Sequence, residues 1–179
     1  MQDGELIKRV QDGDESALDE IVQTYYDEIY RFLCRKLGNS IDAEDVAQTV
    51  FVKFIGSVYS YSEKGKFRNY LFKVAVNAGN DFFRKSVNYT PLDDIAELHS
   101  NSQSPEQIAS EHFTSLSVQK ALQELPTYQR DVIVLRFYHD LQFKDIAGIL
   151  NTGVSSAKSR YRQGMDKLRI LLKEVRDDE

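Results

Sequence analysis

The stretch LQFKDIAGILNTGVSSAKSRYRQGMDKLRILL, residues 141–172, predicts two helices joined by a tight turn. The first helix has apolar residues at helical spacing: Ile146, Ala147 and Leu150. The segment Asn151-Thr152-Gly153 follows, and because Asn and Gly tolerate positive φ the chain can reverse there at little steric cost. The second helix repeats apolar residues on one face: Val154, Ala157, Tyr161, Met165, Leu168 and Leu172.

Polar and basic residues occupy the other face of this second helix. They are Ser155, Lys158, Ser159, Arg162, Gln163 and Arg169. Small residues at a helix start, followed by cations and amides, suit entry into the major groove of DNA. The same pattern also fits an ordinary two-helix corner with a solvated basic face, so this stretch alone leaves both interpretations open.

The composition excludes several classes of protein. Hydrophobic residues make up 41 % of the 179 residues, but no run approaches the roughly 18 apolar residues of a membrane span. The N-terminus lacks the apolar core of a signal peptide, so we expect a cytoplasmic protein without membrane insertion. A single cysteine, Cys34, and three scattered histidines predict no disulfide, no metal site and no cofactor. Because no nucleophile–base set or pair of catalytic carboxylates can be placed, we expect no enzymatic activity.

Charge is distributed unevenly along the chain, whose formal net charge is −5. Residues 63–90 contain six basic and two acidic residues, and residues 154–176 contain seven and two. The rest of the chain is acidic or neutral, and an acidic body repels a DNA duplex. We therefore expect the protein alone to bind DNA weakly and to need a larger partner to hold it there.

The N-terminal residues predict three helices. Residues 3–37 divide near Gly13 into two helices, and Gly38 ends the second. Residues 41–59 form the third, with a predicted buried stripe of Val46, Ala47, Val50, Phe51, Phe54, Ile55 and Val58. The other side of that helix presents Asp45, Gln48, Thr49, Val52 and Lys53. This surface fits a docking site for a partner helix, although a plain solvated face fits the pattern as well.

A loop and a two-faced helix follow. The loop YSYSEKGK, residues 59–66, combines tyrosines with lysines, which suits stacking of an unpaired base and contact with its phosphate. The helix at Phe67–Lys85 has a predicted core face of Phe67, Tyr70, Leu71, Val74, Ala75, Ala78 and Phe82. Its opposite face carries Asn69, Lys73, Val76, Asn77, Asn80 and Arg84, amides and cations without carboxylates that suit contact with DNA. Gly79 lies inside this helix although glycine disfavours helix, which predicts that a backbone approaches closely at this position.

The remaining residues predict a linker and two more helices. Residues 86–110 are polar and acidic and contain proline, which fits a flexible linker, either a plain tether or a segment with an active role. Helices over residues 111–125 and 127–139 are separated by Pro126. Together with residues 141–172 they predict a compact four-helix unit.

Three motifs, in this order, resemble one known family. They are DAEDVAQTVFVKF at residues 42–54, FRNYLFKVAVNAGNDFFRK at 67–85, and ALQELPTYQRDVIVLRFYHDLQFKDIAGIL at 121–150 followed by VSSAKSRYRQGMDKLR at 154–169. With the acidic linker between the second and third, the chain resembles the extracytoplasmic-function (ECF) sigma factors of bacteria. The resemblance covers almost the whole chain.

The resemblance implies a fold and a function. The fold is all-α, with two small helical domains: sigma region two at residues 1–88, an acidic linker at 89–110, and sigma region four at 111–179, a winged-helix-like helix-turn-helix. The implied function is to bind core RNA polymerase, direct it to specific promoters and help to melt them. An anti-sigma factor is the further partner implied. A stand-alone helix-turn-helix regulator is the alternative function. The negative net charge of the chain argues against it.

The resemblance also implies roles for individual residues. The core-polymerase surface is Asp45, Gln48, Thr49 and Val52, where the family usually has an acidic residue in place of Thr49. The minus-ten surface, which contacts the melted non-template strand, is Tyr61, Lys64, Lys66, Asn69, Lys73, Asn77, Asn80 and Arg84. The minus-thirty-five surface, which reads duplex DNA, is Arg136, Ser155, Ser156, Lys158, Ser159, Arg162 and Gln163. The family often has Gly-Thr-Val where this chain has Ser155-Ser156-Ala157.

Overall fold

The computed structural model of the protein describes residues 2–62, 64–86 and 116–177, and it is helical without any strand in those ranges. The predicted linker at residues 89–110 lies outside the described residues. The N-terminal unit comprises α1 (Gln2–Gln11), α2 (Glu15–Leu37), α3 (Ser40–Ser57), a 3-10 turn (Val58–Ser60) and α4 (Phe67–Ser86). The C-terminal unit comprises α5 (116–123), α6 (Thr127–Ile133) with a π-helical last turn (Val134–Tyr138), α7 (Phe143–Ile149) and α8 (Val154–Asp177). The all-α prediction is confirmed.

Local side-chain chemistry sets the helix ends. The Asp14 carboxylate accepts hydrogen bonds from the backbone N–H groups of Ser16 and Ala17 and so caps the start of α2. Gly38, at φ +81°, ends α2 in the left-handed region and donates its N–H to Cys34 O. Asn39 then caps α3 in the same way as Asp14 caps α2. The predicted breaks at Gly13 and Gly38 are therefore confirmed.

An aromatic core fills the N-terminal unit. Phe67 packs edge-on against Tyr25 at 5.3 Å between ring centroids and lies 5.1 Å from Phe54. Phe32 and Phe72 are fully buried and pack edge-on at 5.5 Å. Neither residue was among the predicted core positions: Phe72 lies off the main apolar stripe of α4, whereas Phe32, three residues after Ile29, continues the stripe of α2 and could have been predicted.

Two predictions about helix faces are wrong. Ile55, expected in the buried stripe of α3, is 41 % exposed, since it lies at the edge of the stripe that points away from α2. Val76, expected on the outward face of α4, is 4 % exposed because the C-terminal unit packs over it. A third correction concerns the C-terminal unit, which has no strand within residues 116–177, so the comparison with a winged helix is wrong for that range.

The C-terminal unit packs its own small core around α6 and α8. That core consists of Ala121, Leu122, Leu125, Ile133 and Leu168. Gly164 brings α8 close to α6, because a Cβ at this position would lie 2.7 Å from Ile133 Cδ1. The remaining buried residues of α6 and α7, such as Leu135 and Ile146, belong instead to a cluster that is continuous with the N-terminal core.

The two units pack against each other around a buried ion pair. Lys36 Nζ lies 2.7 Å from both carboxylate oxygens of Asp131, and the side chains are 0 % and 4 % exposed. Burial lowers the pKa of Lys36 and raises that of Asp131, while the charge of each partner opposes these shifts. Lys36 Nζ also donates to Asn80 Oδ1 at 2.9 Å. This pair joins α2, α4 and α6 at a single point.

Side chains of the C-terminal unit satisfy the last carbonyls of α2. Gln119 donates to Cys34 O at 3.1 Å and Gln123 donates to Arg35 O at 2.9 Å. Arg130, which is buried, donates to Lys36 O at 2.5 Å. The final carbonyls of a helix have no partner within it, so these three bonds fix the C-terminal unit at the end of α2.

A second polar cluster joins the units through Glu28. The Glu28 carboxylate pairs with Arg68, whose guanidinium also donates to the backbone oxygen of His139 at 2.8 Å. His139 Nδ1 lies 3.4 Å from the same carboxylate. Burial raises the pKa of Glu28, but the hydrogen bonds and charges of His139 and Arg68 outweigh burial and bring that pKa to about 2.

Gly79 is expected to tolerate no side chain. A Cβ there would lie 2.5 Å from Lys36 Cε, and Lys36 cannot move aside without leaving Asp131. We expect Gly79→Ala to lower the free energy of unfolding by about 1–3 kcal/mol, although alanine has the higher helix propensity. Gly56→Ala is the matched control, since nothing lies within 4 Å of its Cβ, and it should raise stability by up to about 1 kcal/mol. Urea unfolding measures both, and equal stability of the two variants would contradict the close approach.

The Glu28 cluster predicts acid-sensitive stability. A carboxylate with a pKa of about 2 in the folded protein and 4.5 as its ordinary value stabilises the fold fully above pH 4.5. This contribution is lost as the pH falls from 4.5 towards 2. Glu28→Gln should therefore lower the free energy of unfolding at pH 7 and flatten its decline with acid. Urea unfolding at several pH values measures this, with Glu44→Gln on the exposed side of α3 as the control; a slope unchanged by Glu28→Gln would count against the cluster.

Candidate nucleic-acid interface

The helix-turn-helix forms as the sequence predicts. Asn151 takes φ +49°, and Thr152 N donates to Ala147 O at 2.9 Å, so the chain reverses within one turn. Ala157 is fully buried where α8 crosses α7. Phe143 packs edge-on against Tyr161 at 5.5 Å and holds the two helices together.

The polar face of α8 points to solvent. All the residues of α8 assigned to the minus-thirty-five surface are exposed, as is Arg169 further along: Ser155, Ser156, Lys158, Ser159, Arg162 and Gln163. Gln163 Nε2 makes a 3.4 Å hydrogen bond to Ser159 Oγ, one turn earlier on the same face. Val154, expected on the buried face, is 40 % exposed and lies beside this polar face at the start of the helix. The geometry leaves the first turns of α8 accessible to a DNA groove.

Arg136 lies apart from that face and forms hydrogen bonds with the segment before α7. Its guanidinium contacts Asp140 Oδ1 at 3.0 Å and Leu141 O at 3.2 Å, and it lies over the Phe143 ring at 5.6 Å. The side chain is 37 % exposed, so part of the guanidinium remains accessible. The role in DNA contact that the resemblance implies stays a prediction.

The exposed side of α3 is a mixed polar and apolar stripe. Asp45, Gln48, Thr49 and Val52 are all exposed, and Val52 is 68 % exposed. The Thr49 hydroxyl donates to Asp45 O at 3.0 Å and so is engaged within its own helix. Three apolar residues extend the stripe at spacings of three and four: Ile41, Ile55 and Tyr59. None of these three was predicted on this surface, and Ile55 was predicted to be buried, although their spacing from Asp45 and Val52 is a signal that could have shown them.

The loop before α4 is anchored to α1. Gln11 Nε2 donates to Val58 O at 2.7 Å and to Tyr61 O at 2.9 Å. The Tyr61 ring packs against Tyr70 at 4.6 Å and Phe67 at 5.7 Å, so it is half-buried. Lys64 is exposed, and Tyr59, at 71 % exposure, is the more accessible aromatic side chain.

The polar face of α4 lies against the C-terminal unit. Lys73, Asn77, Asn80 and Arg84 keep exposed surface, whereas Asn69 is half-buried. Asn69 Nδ2 donates to Asp145 Oδ1 of α7 at 2.8 Å. A cleft of about 550 Å³ separates the rest of this face from the C-terminal unit. The structure thus brings the predicted α4 residues together along one face, where Asn69 contacts α7 and the other four remain exposed.

Within the described part of the chain, no group of His, Cys, Asp and Glu side chains could hold a metal ion. Cys34 is buried in α2, and burial raises the pKa of its thiol. His139 packs against Phe72 at 4.8 Å and contacts Glu28 in the interface between the units. None of the described helices is long and apolar enough to cross a membrane.

An all-helical protein with a helix-turn-helix, a second polar helix face and an exposed amphipathic stripe has the architecture of a transcription factor. Comparison with known proteins shows which class of transcription factor it is. The chain matches the Sigma-70 region 2 family over residues 21–88 and the Sigma-70 region 4 family over residues 115–168.

Curated relatives cover nearly the whole chain. The ECF RNA polymerase sigma factor SigW of Bacillus subtilis is 33 % identical, over 94 % of this chain and 96 % of its own. The RNA polymerase sigma-H factor of Pseudomonas aeruginosa is 28 % identical, over 97 % of each chain. The chain belongs to the ECF family of RNA polymerase sigma factors. As a sigma factor, it binds core RNA polymerase and directs it to promoters, and the alternative of a stand-alone regulator is not favoured.

Solved structures share the fold. CnrH, solved in complex with the cytosolic domain of CnrY, superposes with a TM-score of 0.72 at 21 % identity and covers 96 % of this chain and 97 % of its own. The sigma factor RpoE of Bartonella quintana, solved with the anti-sigma factor NepR, also has a TM-score of 0.72, at 20 % identity and 87 % coverage of this chain and 96 % of its own.

Gln11 is expected to hold the loop before α4. Gln11→Ala removes both hydrogen bonds to the backbone of that loop, so we expect faster amide hydrogen exchange at Tyr61, by about tenfold if about 1.4 kcal/mol is lost. Exposed Gln23 on α2 gives the matched control, and Gln23→Ala should leave that exchange unchanged. Mass-spectrometric exchange measures both variants. Identical exchange in the two would show that Gln11 does not anchor the loop.

Proposed function

We propose that the chain uses three separate surfaces during initiation. In this proposal, α3 binds core polymerase through Asp45, Gln48, Thr49 and Val52. The loop and α4 hold the melted minus-ten strand through Tyr61, Lys64, Lys66, Asn69, Lys73, Asn77, Asn80 and Arg84. The α8 face, with Arg136, reads the minus-thirty-five duplex through Ser155, Ser156, Lys158, Ser159, Arg162 and Gln163. The corresponding domain bounds are region two at 1–88, the linker at 89–110 and region four at 111–179.

The exposed polar face of α8 is the observation that carries this proposal. Its cations and amides project from the first turns of a helix that a tight turn positions behind α7. Side chains in this arrangement can contact phosphates and base edges in a major groove. The acidic net charge of the whole chain opposes binding to DNA. This supports the proposal that polymerase contributes much of the affinity of the complex for the promoter.

The α3 stripe has the chemistry of a protein-docking surface. Ile41 and Val52 on α3 and Tyr59 in the 3-10 turn that follows are each more than 60 % exposed, and Asp45 and Gln48 lie between Ile41 and Val52 on the same face. Exposed apolar side chains that share one helix face with polar residues fit a partner helix laid alongside. We add Ile41, Ile55 and Tyr59 to the residues proposed to contact core polymerase.

The remaining parts of the proposal follow from the family. The protein makes no bond itself, and the polymerase supplies the chemistry of RNA synthesis, so we propose no catalytic residue and no cofactor. We place it in the cytoplasm beside the polymerase. An anti-sigma factor is a further proposed partner, and the support for it is that CnrH and RpoE, which share the fold, were solved with CnrY and with the anti-sigma factor NepR.

Promoter reading by α8 is tested with a mapped promoter. Start sites are first mapped after overexpression, and the aligned upstream sequences supply the template. Lys158→Ala and Arg162→Ala should each lower initiation by purified core polymerase about tenfold, because each removes a phosphate or base contact. Lys173→Ala, an exposed lysine near the other end of α8, should leave initiation unchanged. Full activity of both recognition-face variants would refute the assignment of α8.

Polymerase docking by α3 is tested with variants that should lose binding to core polymerase. Asp45→Ala combined with Gln48→Ala should weaken a pull-down of core polymerase by about tenfold or more. Asp19→Ala, an exposed carboxylate on α2, is the control. Lys158→Ala and Arg162→Ala should retain normal core binding. If the α3 double variant binds core polymerase as the wild type does, the docking surface lies elsewhere.

A further inference from the structure

The cleft of about 550 Å³ between α4 and the C-terminal unit is lined mostly by residues that belong to no surface proposed above. Lys73 and Asn77 of α4 line one side of it. Tyr128 in the first turn of α6, Asn151 in the turn before α8, and Arg160 of α8 line the other. A volume of this size lies within the range of about 300–1,000 Å³ that is typical of pockets for small molecules.

The charged side chains of the cleft favour an anionic ligand. Lys73 and Arg160 contribute one cation from each wall, and neither forms an ion pair or a side-chain hydrogen bond with another described residue. The lining includes one carboxylate, Asp131, which lies 2.7 Å from Lys36 Nζ, so that its charge is compensated. Phosphate is the anion best matched to this pair of cations, because a guanidinium group can donate two parallel hydrogen bonds to its oxygens.

Amide groups add hydrogen-bond donors to the same cleft. Lys36 Nζ can only donate, so its 2.9 Å bond to Asn80 Oδ1 leaves Asn80 Nδ2 as a donor for the cleft. The side chains of Asn77 and Asn151 are exposed, and they make no hydrogen bond within the part of the chain that the structure describes. These amides can donate to the oxygens of a phosphate group or to the acceptors of a base.

The cleft also has apolar and aromatic surface. Val76 and Ile149, each 4 % exposed, line it together with half-buried Leu150. The ring of Tyr128 is 50 % exposed, and the guanidinium of Arg160 lies over it at 5.5 Å from the ring centroid. Aliphatic side chains beside an exposed aromatic ring suit a planar base, whereas inorganic phosphate would gain nothing from them.

We propose that this cleft binds a nucleoside diphosphate. Its base lies against Tyr128 and the aliphatic residues, and its phosphates lie between Lys73 and Arg160. Two cations on separate walls match a ligand with more than one phosphate. The nucleotide is bound and not converted. The inference goes beyond the proposed function and is tested without DNA or polymerase.

Binding is measured by fluorescence anisotropy, with the full chain and N-methylanthraniloyl-ADP as the probe. The wild type should bind the probe saturably, and Arg160→Ala should bind it about tenfold more weakly than Arg169→Ala. Arg169 is exposed on the same helix and paired with Asp166, so this control removes one positive charge outside the cleft. Equal affinities of the two variants, or no saturable binding by the wild type, would overturn the nucleotide site.

A second pair of variants leaves the contact between Arg160 and Tyr128 intact. Asn77→Asp adds a carboxylate to the cleft at an exposed position, and its repulsion of the phosphates should weaken binding about five- to tenfold. Gln23→Glu, at an exposed position on α2, makes the same change in net charge elsewhere. Urea unfolding verifies that both variants are folded. Probe affinities that are the same in the two would contradict binding in this cleft.

Competition with unlabelled compounds identifies the chemistry of the ligand. ADP should displace the probe at a concentration at least about tenfold lower than inorganic phosphate or adenosine requires, because only the nucleotide contacts both the cations and the apolar surface. Displacement by inorganic phosphate as readily as by ADP would overturn the base contact. Displacement by adenosine as readily as by ADP would overturn the phosphate contact.

NMR of the isotope-labelled chain locates the ligand. ADP should shift the side-chain amide signals of Asn77, Asn80 and Asn151, and it should leave that of Gln163 on the exposed face of α8 unchanged. Shifts confined to residues outside the cleft would overturn the assignment.

A DNA strand is the competing occupant, because Lys73, Asn77 and Asn80 also belong to the proposed minus-ten surface. The probe for it is a fluorescein-labelled oligonucleotide of about 20 nucleotides. If Arg160→Ala weakened binding of the oligonucleotide but not of ADP, the cleft would belong to the strand site and the nucleotide site would be refuted. None of these outcomes overturns the proposed function, which is judged by initiation with core polymerase.

Discussion

The buried Lys36–Asp131 ion pair is the constraint on which the arrangement of the two helical units depends. Two charges removed from water need close geometry and further hydrogen bonds, and here Asn80 supplies one of those bonds. Gly79 leaves room for the lysine stem, since a Cβ there would contact it at 2.5 Å. Lys36 sits in the last turn of α2, where its backbone oxygen accepts a hydrogen bond from Arg130. One residue thus links the end of α2 to both α4 and α6.

Several other charged and amide side chains form hydrogen bonds or ion pairs between the two units. Glu28, Arg68 and His139 form a second charged cluster, and Gln119 and Gln123 donate to carbonyls at the end of α2. These polar contacts define one geometry, and the apolar cluster that the two units share, which includes Leu135 and Ile146, supplies hydrophobic burial beside them.

The distribution of charge connects the fold to its function. The basic segments at residues 63–90 and 154–176 lie in an otherwise acidic or neutral chain. In the structure α8 presents its cations to solvent, and in the other segment Lys73 and Arg84 are exposed as well, while Lys66 lies 3.3 Å from Asp145 of the same chain. Because an acidic body repels a DNA duplex, this charge distribution predicts weak affinity for DNA by the protein alone and promoter binding that depends on polymerase.

The sequence by itself determined the helices, most of their buried faces and the family. Helical periodicity marks Val46 and Val50, Gly38 ends α2, and Asn151 provides the turn of the helix-turn-helix, because each of these signals acts within a few residues. Only the tertiary structure decided that Val76 is covered, that Ile55 is exposed and that Lys36 is buried. Lys36 and Asp131 are 95 positions apart, and neither residue carries a local signal of its partner. Periodicity identifies the main apolar face of a helix, but the burial of its other faces depends on which distant element packs there.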